Sequence, residues 1–144
     1  MLEEQSKIIE DIDTSKFIKK VIEESKNNPV IVDFWATWCN PCKQLTPLLE
    51  KVVLQMNGKV KLVKVDIDQN QSLAQQMQIQ SVPTVLAFFE GKPINGFAGM
   101  KSEEAEDAVA SLIACLTAKI QSTPIDTHAW GLAQTWAAAK SPRG

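Results

Sequence analysis

The chain has 144 residues, 44% of them hydrophobic and 22% charged, proportions that suit one globular domain with an ordinary core. Fifteen Lys and Arg against seventeen Asp and Glu leave a formal net charge of −2, which gives no electrostatic reason to expect a nucleic-acid partner. Its apolar runs fall far short of the roughly 20 residues that span a bilayer, and the acidic start Met1-Leu2-Glu3-Glu4-Gln5 lacks the basic and apolar regions of a signal peptide. The expectation is therefore a cytoplasmic chain with no membrane partner.

In chain order, Ile8, Ile9 and Ile12 predict a short first strand. Asp13 and Thr14 are placed to cap a helix that carries Phe17, Ile18, Val21 and Ile22 on one face. Asn27-Asn28-Pro29 punctuates, and Val30 to Trp35 reads as a strand buried on both faces, as in the middle of a sheet. The next helix shows apolar residues at 45, 48, 49, 52, 53 and 56, the i, i+3, i+4, i+7 stripe of an amphipathic helix. Pro47 lies inside it, where a proline removes one donor and favours a kink. Asn57-Gly58 ends this helix.

Val60 to Ile67 predicts another strand, and Leu73, Ala74 and Met77 a short helix. Thr84 to Phe89 reads as a strand, Glu90-Gly91-Lys92 as a turn, and Ile94 to Ala98 as the returning strand of a hairpin. A last helix from Ser102 to about Leu116 presents Ala105, Val109, Leu112, Ile113 and Leu116 to the sheet, with Glu104 and Glu106 favouring its start. The order is β-α-β-α-β-α-β-β-α, an α/β domain whose mixed sheet starts parallel, closes with a hairpin and carries helices on both faces. Residues 119–144 do not fit this plan. His128 to Lys140 is alanine-rich and carries Trp130 and Trp136, so the division expected is a domain over 1–118 and a C-terminal extension over 119–144.

Three cysteines are present, Cys39, Cys42 and Cys115. An odd number argues against a secreted disulfide framework. The C-x-x-C of Trp38-Cys39-Asn40-Pro41-Cys42 admits a metal site, a structural staple or a redox pair. Structural zinc takes four ligands, and the one histidine, His128, is remote, so no metal is expected. A cysteine at a helix N-terminus meets unpaired N–H groups and the positive end of the helix dipole, which favour the nucleophilic thiolate. Cys39 stands there, and Pro41 suits the first turn, where its missing donor costs nothing. Cys42 lies deeper in the helix and is expected to be the more buried. Cys39 thus reads as the attacking sulfur and Cys42 as the one that resolves the mixed disulfide.

The segment Trp35-Ala36-Thr37-Trp38-Cys39-Asn40-Pro41-Cys42-Lys43 resembles the active site of the thioredoxin family. The likeness runs from about Ile8 to Leu116 and takes in Asp33, Pro47, Lys64, Asp66-Ile67-Asp68, Ser81-Val82-Pro83-Thr84, Gly91 and Gly99. It implies the thioredoxin fold, a mixed five-stranded central sheet flanked by about four helices. It implies a protein-disulfide reductase that needs no bound cofactor, takes protein disulfides as substrates and draws electrons from a thioredoxin-reductase-type donor. Pro83 would be cis beside the dithiol, and Trp38, Val82, Ala98 and Gly99 would form a shallow surface for extended peptide. Asp33 would be a buried carboxylate beneath Cys42 that assists its deprotonation, with Lys64 moderating its charge. Trp35 would pack beside the site. Asn40 departs from the glycine most often found between these cysteines. A monomer is expected, because residues 8 to 116 carry no large unexplained apolar stripe.

Other readings stand beside this one. The region from Phe88 to Gly99 is similar to the thioredoxin domains that head some bacterial holdase chaperones, so a client-binding domain that forms mixed disulfides is an alternative function, as is a more oxidising oxidase or isomerase. Lys64 also reads as a snorkelling surface lysine, Cys115 as a half-buried inert thiol, and Asn70-Gln71-Ser72 as a helix cap.

Overall fold

The computed structural model describes residues 7–99 and 102–122. Five strands, β1 (Ile9–Asp11), β2 (Val30–Trp35), β3 (Lys61–Asp66), β4 (Thr84–Phe89) and β5 (Lys92–Ala98), form one sheet in the order β1-β3-β2-β4-β5. β3 pairs in parallel with β1 and β2, whereas β4 runs antiparallel to both β2 and β5. The sheet is mixed as predicted. β2 lies at its centre, and all of it except Trp35 is buried, which explains its near-continuous apolar run.

Helices cover both faces. A helical segment, α1, begins as a tight 3-10 turn (Thr14–Lys16), widens into a π-helical stretch (Ile18–Glu23) and tightens again (Glu24–Lys26). With the short α3 (Gln71–Gln76) it packs against Val30, Val32, Phe34, Val63, Val65 and Phe88, and Phe17 meets Phe88 edge-on at 5.8 Å between ring centroids. On the opposite face α2 (Asn40–Gln55) and α4 (Ala105–Ser122) bury Leu45, Leu49, Val53, Val109, Leu112 and Leu116 over Ile31, Leu62, Val85 and Ala87. Alternation along each strand makes this division: odd positions of β2 face α2, and even ones face α1.

The structure corrects several local expectations. Ile18, predicted on the buried face of the first helix, is 60% exposed, because the i→i+5 pitch of that stretch departs from the 3.6-residue period behind the expectation. Asp13 makes no side-chain cap; its carboxylate accepts from the Ser15 hydroxyl at 2.5 Å, which holds its pKa below the usual value. Asn70 does not cap α3 with its side chain either. It is buried, donates to the Asp66 carbonyl at 2.9 Å and accepts from the Thr14 backbone N–H at 2.8 Å and hydroxyl at 3.0 Å, joining two loops. β5 begins at Lys92 rather than Ile94, with Pro93 tolerated on an edge strand beside a register shift at Ala87/Phe88. α4 continues past Leu116 to Ser122, after a 3-10 turn over Ser102–Glu104. α2 runs through Pro47 without a break, and Asn57 and Gly58 at its end both take positive φ, 55° and 86°. His128, Trp130 and Trp136 lie outside the described residues, as does most of the 119–144 extension.

The β4–β5 hairpin is fixed at both ends. At the turn, Ser25 is fully buried: its hydroxyl accepts from the Gly91 N–H at 2.9 Å and its carbonyl from the Glu90 N–H at 2.9 Å. In β5, a Cβ on Gly96 would stand 2.6 Å from the Val85 carbonyl oxygen and 2.9 Å from Leu86 Cδ2. Gly96→Ala is therefore expected to cost about 2 kcal/mol, the scale of an overpacking change. Its urea midpoint should fall measurably; an unchanged midpoint would show that the hairpin can part without cost.

Candidate active site

β2 ends at Trp35, and a short turn carries the chain to Cys39, where α2 starts. Cys39 is the N-cap: its backbone is extended, with φ −92° and ψ 107°, and its sulfur accepts from the Cys42 N–H at 3.2 Å. Its own N–H donates to the Ala36 carbonyl at 3.1 Å. Pro41 occupies the first turn of α2, where it sacrifices no hydrogen bond. Asn40 is the first helical residue and needs no positive φ, so replacing the usual glycine there imposes no backbone strain.

Cys39 and Cys42 form a disulfide, with Cα atoms 5.3 Å apart. The structure thus shows the oxidised pair. Cys42 was expected to be the more buried, yet the two are 2% and 3% exposed, Cys42 and Cys39 respectively. Both cysteines sit in one cluster with Ala36, against which Trp35, Ile67 and Val82 pack. Trp35 and Ala36 lie just before Cys39 in the chain, whereas Ile67 and Val82 come from the loops after β3 and before β4.

The Val82–Pro83 peptide bond is cis. Val82 packs against the disulfide cluster and Pro83 is buried. The Gly99 N–H donates to the Pro83 carbonyl at 2.9 Å, and Ala98 pairs with Thr84, so Ala98 and Gly99, both exposed, are brought to the same end of the sheet. Trp38 is 63% exposed and its indole N–H donates to Asp68 Oδ2 at 3.0 Å. Of the residues predicted as a docking surface, Val82 packs on the disulfide, Trp38 precedes Cys39 in the chain, and Ala98 and Gly99 lie at the Pro83 end of the sheet. Asp68, which holds the Trp38 ring, was not singled out as a site residue; the aspartates at 66 and 68 were visible only as part of the family likeness.

Asp33 is fully buried on the face covered by α2. Its Oδ2 accepts from the Thr46 hydroxyl at 2.6 Å, while Oδ1 has no hydrogen-bond partner. Burial pushes its pKa up from 3.8 to about 6, against the Thr46 hydrogen bond and the Lys64 charge, which lower it. Lys64 pairs with Asp33 across the strands, but its ammonium turns to Glu50 Oε2 at 2.7 Å and Asp11 Oδ2 at 3.8 Å. Burial works to lower its pKa, and Glu50, Asp11 and Asp33 outweigh this, leaving it raised. Lys64 thus acts on Asp33 through its charge and not through an ion pair, and the lysine is a partly buried member of a network rather than a snorkelling surface group.

Thr46 and Glu50 were missed by sequence reasoning. A signal for them exists: they stand four and eight residues after Cys42, on the same face of α2. Asp11 carries no such signal, since only the strand order brings it near. A groove of about 330 Å³ runs along this side of the site, lined by Asp11, Trp35, Ala36, Thr37, Cys42, Lys43, Thr46, Pro47 and Lys64. Trp35 lines it half-buried, and its indole nitrogen has no protein partner. Cys115, on α4, is a half-buried free thiol. Among the described residues no cluster of His, Cys, Asp or Glu is arranged to hold a metal ion, and no helix is long and apolar enough to cross a membrane.

Taken together, the site holds a cysteine pair at a helix N-terminus, an apolar rim, and a buried carboxylate whose Oδ1 accepts no hydrogen bond from the protein. Such an arrangement can exchange a disulfide with a peptide and move the proton that exchange releases. The thioredoxin family model matches residues 8–113. The chain is 48% identical over 84 residues to a mitochondrial thioredoxin of Bos taurus, covering 58% of this chain and 51% of that one. It is 41% identical over 81 residues to a bifunctional thioredoxin reductase/thioredoxin of Mycobacterium leprae, covering 56% of this chain and 18% of that one. The chain thus spans about half or less of the length of these two relatives. Among solved structures, the thioredoxin of Malassezia sympodialis (Mala s 13) superposes with a TM-score of 0.59 at 32% identity, over 72% of this chain and 89% of that one.

Proposed function

The chain belongs to the thioredoxin family, and from that premise we propose that it is a thiol-disulfide oxidoreductase that reduces protein disulfides through Cys39 and Cys42. The observation that carries this reading is the position of the disulfide: the Cys39 sulfur faces the first N–H groups of α2 and accepts from one of them. Those groups stabilise a thiolate when the pair is reduced. The Cys39 thiolate attacks a substrate disulfide and forms a mixed disulfide. Cys42 then attacks Cys39, and Asp33 takes its proton at Oδ1. Lys64 tunes Asp33 through its charge.

An extended substrate segment lies over Trp38, Val82, Ala98 and Gly99, with the backbone beside Pro83 offering hydrogen bonds. Trp35, Asn40, Pro41 and Pro47 shape the loop and the helix that hold the pair. Residues 1–118 carry the working domain, and α4 runs on to Ser122 into the appended 119–144 segment. The pair is returned to the dithiol by a reductase-type electron donor, which places the chain in electron transport and cell redox homeostasis. The pairing of both activities in the M. leprae relative's name supports this. A free Cys115 beside a single redox pair fits a reducing, cytoplasmic-type compartment. The chain acts as a monomer, since obligate dimers need broad apolar contact.

The reading is tested by the reduction potential of the Cys39–Cys42 pair, titrated against dithiothreitol with Trp35 and Trp38 fluorescence as the probe. A general reductant should lie near the established thioredoxin value of about −270 mV. A potential about 60 mV or more on the oxidising side corresponds to about 3 kcal/mol for this two-electron couple. That result would replace the reductase with an oxidase, an isomerase or a client-holding domain.

A further inference from the structure

One face of α2 carries Cys42, Thr46 and Glu50 at successive turns, with Thr46 reaching Asp33 on β2 and Glu50 reaching Lys64 on β3. The two oxygens of Asp33 differ in their surroundings. Oδ2 is held by Thr46 at 2.6 Å, and Oδ1 is buried with no hydrogen-bond partner. The nearest cation in register, Lys64, spends its shortest contact on Glu50, at 2.7 Å, and a longer one on Asp11, at 3.8 Å. We propose that Thr46 and Glu50 are positioning residues that act through Asp33: Thr46 fixes the carboxyl so that Oδ1 is the oxygen left to receive a proton, and Glu50 draws Lys64 aside so that Asp33 is not locked in an ion pair. This rests on reading Asp33 as the proton acceptor for Cys42.

The step balances as follows. Cys42 gives its proton to Asp33 Oδ1 and its sulfur attacks Cys39. The Cys39–Cys42 bond forms as the bond from Cys39 to the substrate sulfur breaks. Two electrons leave with the substrate thiolate, which is protonated by water, and Asp33 later returns its proton to solvent.

The two positioning residues act on Asp33 in opposite directions. A hydrogen bond to the ionised carboxylate favours that form, so Thr46 lowers the proton affinity of Asp33. Glu50 raises it by its own negative charge and by occupying Lys64. The charged groups that act on Asp33 are Glu50 from α2, Lys64 from β3 and Asp11 from β1, with Cys42 one turn before Thr46 on α2; β4 presents Val85 opposite. A carboxyl with neither partner would hold its proton too tightly to act as a base, and one paired directly with Lys64 would hardly take a proton at all.

The test is a carbon-13 carboxyl NMR titration of Asp33 in the full oxidised chain, for wild type, Thr46→Ala, Thr46→Ser and Glu50→Gln. Thr46→Ala should move the midpoint up by about one unit, a tenfold change in proton affinity. Thr46→Ser should restore it, and Glu50→Gln should move it down. The pH inflection for resolving a Cys39 mixed disulfide, measured in a single turnover, should shift with the same signs. Midpoints that stay put, or that move together in Thr46→Ala and Glu50→Gln, overturn the proposal. The titration needs no activity, so opposite shifts in a chain that reduces nothing uphold the positioning and overturn only the reductase reading.

Discussion

Cys42→Ser is expected to stop catalytic disulfide reduction and to leave the chain covalently joined to its substrate through Cys39. The variant retains the helix N-terminus that stabilises the Cys39 thiolate, so attack on a substrate disulfide continues. What it loses is the sulfur one turn away that displaces the substrate. A serine hydroxyl cannot attack Cys39 in its place. Turnover should fall by about a thousandfold, which is about 4 kcal/mol of barrier, while a mixed disulfide that dithiothreitol releases accumulates on non-reducing gels. Cys39→Ser should lose turnover equally and accumulate nothing. If wild type itself accumulates long-lived mixed disulfides with unfolded clients and turns over no faster than Cys42→Ser, the domain holds clients rather than reducing them.

Asp33→Asn should make the protein more stable and less active. The carboxyl is fully buried and its pKa in the folded chain is raised from 3.8 to about 6 by burial. Below pH 3.8 the group is protonated whether folded or unfolded and contributes no pH-dependent penalty. Between 3.8 and about 6 the folded state binds more protons than the unfolded state, so stability falls as pH rises. Above about 6 the loss is complete. The shift of about two units, at about 1.4 kcal/mol per unit, comes to about 3 kcal/mol. Urea unfolding at pH 8 should therefore show Asp33→Asn more stable by about that amount, and the difference should shrink toward zero near pH 3.5. The asparagine can still accept from Thr46, so little packing is lost. Resolution of the mixed disulfide should slow near neutral pH, because no group remains to take the Cys42 proton. A variant that is less stable at pH 8 would show that the carboxylate is solvated or paired in solution and that burial does not govern it.

These two effects have one origin. The fold keeps a carboxyl where it weakens the protein, and the same burial places its proton affinity near neutrality. A site that trades stability for reactivity in this way is a common reason for a polar residue in a core strand. Lys64 softens the trade by its charge, while Glu50 and Asp11 work against it.

The reactive centre was legible in the sequence because it is local. A strand of β-branched and aromatic residues ends at Trp35, a helix stripe starts at Leu45, and Cys39-Asn40-Pro41-Cys42 fills the junction. Helix-start chemistry needs only contiguous residues, and the capping position of Cys39 follows from them. The order of strands and helices was legible for the same reason, through periods of two and 3.6. Where the helix left that period, at Ile18, the reading failed.

Tertiary structure decided what surrounds that centre. The crossover that sets β3 between β1 and β2 puts Lys64 opposite Asp33 and brings Asp11 into reach of the lysine. The packing of α2 onto β2 gives Asp33 its Thr46 hydroxyl, and the loop before β4 brings Val82 onto the cysteines, burying Cys39 as deeply as Cys42. Each of these joins residues distant in the chain, and no periodicity states which distant residues meet. The sequence by itself determined that two cysteines meet at a helix start; only the assembled sheet decided how the buried acid is partnered, because burial and register are properties of the packed whole.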